Sequence, residues 1–207
     1  PGRTIADKAT GTSAEESGKF APPFLGDLGG RVQPDWLFHF LKNPQRDYAR
    51  RGGQPIRPKV PLRMPSFGFT DAEASDLVRY FTLTAEASYP FTEEAPMPSL
   101  ADLKATGQLI AKEGVDCRGC HELDGATKEA LGPSLDHLAG RLRRDWTRRY
   151  IQFPERSQPF VVMPPHFTPK EGKIEPDNDI DPELNYMGRA PARQLEALLA
   201  YLLPPKA

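Results

Sequence analysis

Only two of the 207 residues are cysteine. Both fall within one five-residue stretch, so no thiol is left to form a disulfide elsewhere. No apolar run approaches the ~20 residues that a membrane-crossing helix requires. Net charge is almost absent, at −1 with a pI of about 6.5, which argues against a general binder of nucleic acid. Hydrophobic residues make up 38% of the chain and proline fills 23 positions, so the cores are modest and the connections abundant. No leader segment opens the chain. It begins at Pro1 and not at methionine, which reads as a mature or trimmed product.

What the chain does have is Cys117-Arg118-Gly119-Cys120-His121, a C-x-x-C-H pattern. This is the attachment signature of a c-type haem. Thiols three positions apart on one helical turn can each add across a porphyrin vinyl group. The histidine beside the second thiol then lies over the ring face, where an imidazole nitrogen can ligate iron. A redox C-x-x-C would sit in a βαβ pattern, and a structural zinc site would need more Cys or His at similar spacing. The sequence offers neither. Covalent haem attachment ordinarily takes place outside the cytoplasm, so the motif implies a periplasmic or otherwise exported protein.

Residues 1–22 are polar and aperiodic and read as an irregular arm or surface loop. From Asp35 to Leu41 the run DWLFHFL is apolar at helical spacing and is closed by Pro44. Residues 50–65 are basic and proline-rich, hence extended. Thr70 and Glu73 have the spacing of a capping box, opening a helix with Leu77, Val78, Tyr80 and Phe81 on its apolar side. Residues 88–98 carry Pro90, Pro96 and Pro98 and read as a linker. Ser99 caps a helix to about Lys112, in which Gly107 suits a close crossing with the last helix. A further helix spans Asp145 to Phe153 and stops at Pro154. The last begins at about Pro191 and carries Leu195, Leu198, Leu199 and Leu202 as its buried stripe.

The two halves repeat one grammar. A shift of 110 residues aligns Pro23/Pro133, Leu25/Leu135, Leu28/Leu138, Gly30/Gly140, Arg31/Arg141, Asp35/Asp145, Trp36/Trp146, Pro44/Pro154 and Arg46/Arg156. Met64-Pro65 corresponds to Met163-Pro164, each ahead of a closing helix. At the position equivalent to the C-x-x-C-H motif, the first half has Asp7-Lys8-Ala9-Thr10-Gly11, which cannot form thioethers.

The second half resembles the class I cytochromes c. The resemblance rests on Cys117 to His121, Gly132-Pro133-Ser134-Leu135, Trp146-Tyr150-Ile151, Met163-Pro164 and a helix over 191–203. It covers residues 99–207 well and 23–83 more weakly. It implies an all-α fold of two tandem cytochrome c-like domains with long Pro-rich loops. Residues 1–92 form a degenerate or truncated domain without C-x-x-C-H, and 93–207 form the haem-bearing one. It further implies one covalent haem c, with His121 and Met163 as metal ligands and Cys117 and Cys120 as thioether anchors. Leu135 and Tyr150 line the cofactor, the Pro133 carbonyl bonds the second His121 ring nitrogen, and Arg141 and Trp146 are candidates for a haem propionate. Met187, His137 and His166 remain alternative sixth ligands. Val161, Val162 and Pro164 are expected to keep water from Met163, favouring ferrous iron. A second haem near Met64 would require an upstream motif.

The function implied is one-electron transfer, as an exported carrier or as the cytochrome subunit of a redox complex, and not catalysis. Its partners are a donor and an acceptor redox protein, among them a membrane oxidoreductase complex reached without a transmembrane segment of this chain. The alternative is a haem enzyme of dihaem oxidase or peroxidase type with a displaceable sixth ligand. A third reading makes the first half a docking module without cofactor. Arg141, Arg143, Arg144, Arg148 and Arg149 read either as a patch that steers an acidic partner or as a solvated helix face. The acidic insertion 171–184 carries Asp177, Asp179 and Asp181 in alternation. Pro182 and Gly188 stand where a calcium loop needs Gly and Glu, so a flexible acidic loop is expected.

Overall fold

The computed structural model describes residues 25–45, 64–87, 98–110, 114–124, 131–157, 161–174 and 186–204. The arm over 1–22, nearly all of 50–65 and of the linker 88–98, Lys112, and the alternating aspartates Asp177, Asp179 and Asp181 lie outside those residues. The described chain is mostly helical, and no helix in it is long and apolar enough to cross a membrane.

The repeat is a repeat in three dimensions. Helices α1 (Leu28–Arg31) and α2 (Pro34–Lys42) recur, at the same offset of 110, as the elements Leu138–Arg141 and Arg144–Gln152. Each longer helix ends in an extended residue, Asn43 at φ −151° and Phe153 at φ −145°. The prolines that follow, Pro44 and Pro154, disfavour helical backbone at the residue before them. Both prolines are fully buried, so they pack as well as punctuate.

Helix α3 (Asp71–Thr84) begins in a complete capping box, the Thr70 hydroxyl accepting from the Glu73 N–H and the Glu73 carboxylate from the Thr70 N–H. Those hydrogen bonds hold the Glu73 carboxyl below its ordinary range. The buried stripe of α3 is Ala74, Val78 and Thr82, with Leu77 and Phe81 half-buried, whereas Tyr80 is exposed. The expected inward Tyr80 is therefore corrected. Gly29 of α1 fixes this rotation: a Cβ there would run into the backbone of Phe81 and Thr82, so α1 lies directly on the α3 backbone.

In the second half α4 (Leu100–Leu109) is capped by Ser99, and it is followed by the single turn α5 (Cys117–Cys120). A 3-10 turn over Leu135–His137 leads into α6 (Leu138–Arg141), α7 (Arg144–Gln152) and α8 (Pro154–Ser157). The last helix, α9 (Pro191–Leu202), packs on α4 with Leu195, Leu198, Leu199 and Leu202 buried. The crossing is sealed by Thr106, Leu109 and Ile110 and not by Gly107, whose missing Cβ would face open space. Arg193 donates two hydrogen bonds to the Asp102 carboxylate, at 2.8 and 2.9 Å. That partner holds the Asp102 carboxyl below the usual aspartate range and the Arg193 guanidinium above its own.

Part of the acidic insertion is ordered differently from expectation. Strands β1 (Pro169–Lys170) and β2 (Lys173–Ile174) pair antiparallel around Glu171 and Gly172. Both turn residues have positive φ, 50° and 78°, the backbone that a two-residue hairpin needs.

The halves meet along a two-fold-like seam. Val32 bridges Leu142, the Gln33 N–H donates to the Arg141 carbonyl at 2.8 Å, and the Arg143 N–H donates to the Arg31 carbonyl at 2.9 Å. Side chains repeat the exchange, Gln33 Nε2 donating to the Leu142 carbonyl and Arg143 Nε to the Val32 carbonyl, both at 3.0 Å. Each bond has a counterpart 110 residues away in the opposite direction, the self-complementary pattern of an isologous interface. Buried side chains from both halves join in one cluster.

Candidate haem site

The turn α5 owes its geometry to the residues before it. Asp116 sits in the left-handed region at φ 52°, and the Arg118 N–H reaches back to the Ile110 carbonyl at 3.3 Å. One helical turn then presents two cysteines that form no disulfide. Cys117 is half-buried against the core and Cys120 is exposed. The His121 N–H closes the turn on the Cys117 carbonyl at 2.9 Å, after which the backbone extends.

A second strip of chain clamps this turn. The Gly132 N–H donates to the Cys120 carbonyl and the Leu135 N–H to the Glu122 carbonyl, both at 2.8 Å. Between them His121 Nδ1 lies 2.6 Å from the Pro133 carbonyl oxygen. A carbonyl can only accept, so Nδ1 is the donor, and in the neutral ring the lone pair then lies on Nε2, the nitrogen that can ligate a metal. Gly132 makes the approach possible: a Cβ there would stand 2.6 Å from His121 Nδ1 and closer still to Cε1. Two thiols on one turn and an imidazole with one nitrogen fixed are a donor set that fits a covalently held haem.

The residues expected to line the cofactor belong to the shared apolar core. Val115, Leu123, Leu135 and Trp146 are buried in the shared cluster, with Cys117, Tyr150 and Met163 packed against it. Trp146 and Tyr150, one turn apart on α7, stack with ring centroids 4.7 Å apart. Trp36 and Phe40 repeat this arrangement at the same distance in the first half.

The four candidates for a second iron ligand differ in setting. Met163 is half-buried on the cluster, and of the three neighbours expected to shelter it Val161 is half-buried, while Val162 is 93% exposed and Pro164 is exposed. The expectation that these residues exclude water is corrected. Met187 is a core side chain at a left-handed residue (φ 52°) in the turn before α9. His137 is exposed. His166 is buried, and its backbone N–H donates to the Ile151 carbonyl at 2.9 Å.

The arginines are neither a steering patch nor a solvated face. Arg143 and Arg144 are 4% and 3% exposed. Arg143 is built into the seam, while Arg144 and Arg148 both bond the Glu196 carboxylate on α9. Of the five, Arg149 alone is exposed. The Arg141 guanidinium lies over the Trp36 ring at 5.3 Å, and Arg31 of the first half lies over Trp146 at 5.0 Å. The Trp146 indole N–H faces Asp27 at 3.4 Å. Sequence reasoning missed Arg31, Gln33 and Asp27, although the aligned Arg31/Arg141 and Trp36/Trp146 pairs carried the signal.

Among the described residues no three or more His, Cys, Asp or Glu side chains converge to hold a metal ion. Comparison of the chain with protein-family models, with curated proteins and with solved structures finds no match.

Proposed function

We propose that this chain is an exported electron-transfer protein related to the class I cytochromes c. Its second half holds one haem c through Cys117 and Cys120, with His121 as proximal and Met163 as sixth ligand. The observation that carries this reading is the 2.6 Å contact between His121 Nδ1 and the Pro133 carbonyl, beside two cysteines on one turn that form no disulfide. A hydrogen bond of that kind fixes the ring and raises the basicity of the ligating nitrogen. When bound, the haem supplies one-electron exchange between ferrous and ferric iron. The chain's own residues do the rest: the thiols anchor, Gly132 and Pro133 orient His121, and Leu135, Trp146 and Tyr150 form the apolar wall. The reaction partners are donor and acceptor redox proteins, with the chain serving as a carrier or as the cytochrome subunit of a redox complex.

Met163 is favoured over Met187 because Met187 is a core side chain, spent on holding the turn before α9. Replacing Met163 by Ala should remove the sulfur-to-iron band at the red edge of the ferric spectrum and open the iron to carbon monoxide. Retention of that band in the variant would exclude Met163. One observation favours the enzyme alternative. The exposed Val162 and Pro164 leave the Met163 segment at the surface, where a ligand could be displaced. Carbon monoxide binding to the unaltered reduced protein would establish that reading. No binding is the result expected of a carrier.

A further inference from the structure

Trp146 belongs to the second half, yet both of its polar faces are met by the first. Arg31 lies 5.0 Å from the ring centroid and Asp27 faces the indole N–H at 3.4 Å. Trp146 is 6% exposed while Arg31 and Asp27 are half-buried, so the contact is partly shielded from solvent and its charges are screened less than exposed ones. The arrangement is reciprocal, since Arg141 crosses to Trp36 at 5.3 Å. The crossing is held in register by the backbone exchange between Gln33 and Arg141 and between Arg143 and Arg31. Each half therefore places its arginine on the aromatic wall of the other.

We infer that the first half completes the haem site of the second: Arg31 and Asp27 are positioning residues that set the charge at the Trp146 wall, while Arg141 lies over Trp36 of the other half. The inference rests on the haem reading above. On the haem reading Trp146 is a wall residue of the site, and it belongs to the same apolar core as Cys117, Leu135 and Met163, so a charge fixed on it bears on the surroundings of the cofactor. Ferric iron carries one more positive charge than ferrous, so a fixed cation favours the ferrous state and a fixed anion the ferric. This gives the first half a working role whether or not it carries a cofactor of its own.

The test is a spectroelectrochemical titration of the full-length haem-loaded protein. Arg31→Gln should lower the ferrous-to-ferric ratio at a fixed applied potential by about tenfold, a downward shift of about 59 mV. Arg31→Lys, which keeps the charge, should retain most of the original value. Asp27→Asn should move the potential upward, and it carries the test should Arg31→Gln fail to fold. Arg141→Gln should shift it by less than half as much as Arg31→Gln. A merely structural seam would lower thermal stability in these variants and leave the potential in place. An unchanged potential in folded Arg31→Gln and Asp27→Asn, or a shift in Arg141→Gln as large as that in Arg31→Gln, would overturn the crossed assignment alone. Absence of a covalent haem from the unaltered protein would overturn the haem reading and this assignment with it.

Discussion

At the scale of single residues, the site is governed by what is missing from Gly132. A methyl group there would press on the His121 ring, which is already drawn to within 2.6 Å of the Pro133 carbonyl. Gly132→Ala should therefore cost about 1–3 kcal/mol through overpacking and disturb the ring proposed to ligate iron, read as a lower melting temperature and a changed ferric spectrum. An unaltered spectrum would show that the strip can move aside. The two methionines should part company in the same assays. Met187 is 8% exposed, so Met187→Ala should cost about 2–5 kcal/mol by opening a cavity, with the sulfur-to-iron band intact. The turn of Cys117, Cys120 and His121 stands out in the sequence as a local motif, whereas the contact of His121 with Pro133 followed from the resemblance and not from spacing. The setting of Met187 was not legible. Its burial depends on a left-handed turn docking between α4 and α9, and nothing in the local sequence reports that docking.

At the scale of elements, ends were legible and faces less so. The Thr70–Glu73 box and the proline stops are local chemistry, readable wherever they occur. Thr70→Ala should cost about 1 kcal/mol, measured by denaturant unfolding, and no change would mean that α3 does not depend on its cap. Which side of α3 turns inward is decided by Gly29 on another helix, and Tyr80 accordingly fell on the wrong face. Similarly Gly107 is a small residue with nothing against it, while the pair that ties α4 to α9 is Asp102 with Arg193. Asp102 has its carboxyl held low by Arg193. A depressed folded-state value means that the stabilisation is present above the ordinary aspartate range of about 4 and is lost as pH falls through the folded value. Asp102→Asn should lower the melting temperature at pH 7 and flatten its fall toward acid. A variant whose acid dependence matches the unaltered protein would remove Asp102 from the account.

At the scale of the whole molecule, two copies of one unit are joined by a seam that the repeat implied only indirectly. Identity at Arg31/Arg141 and Trp36/Trp146 announced the copies. The groups that bind them, Gln33 and Arg143, occupy equivalent positions with different side chains, so no identity marked them. Arg143→Met would leave the buried Val32 carbonyl without its side-chain donor at a cost of about 1–3 kcal/mol. Because one core spans both halves, that loss should lower a single unfolding transition and not split it into two. The central claim is that the second half is built to hold a haem covalently between Cys117, Cys120 and His121. It is tested most directly by a pyridine haemochrome assay on the chain after expression with the haem-attachment machinery. The account predicts one haem c per chain that survives acid–acetone extraction and is lost when both cysteines are replaced by alanine. A folded chain that gives up all its haem to the solvent, or never acquires any, would contradict it.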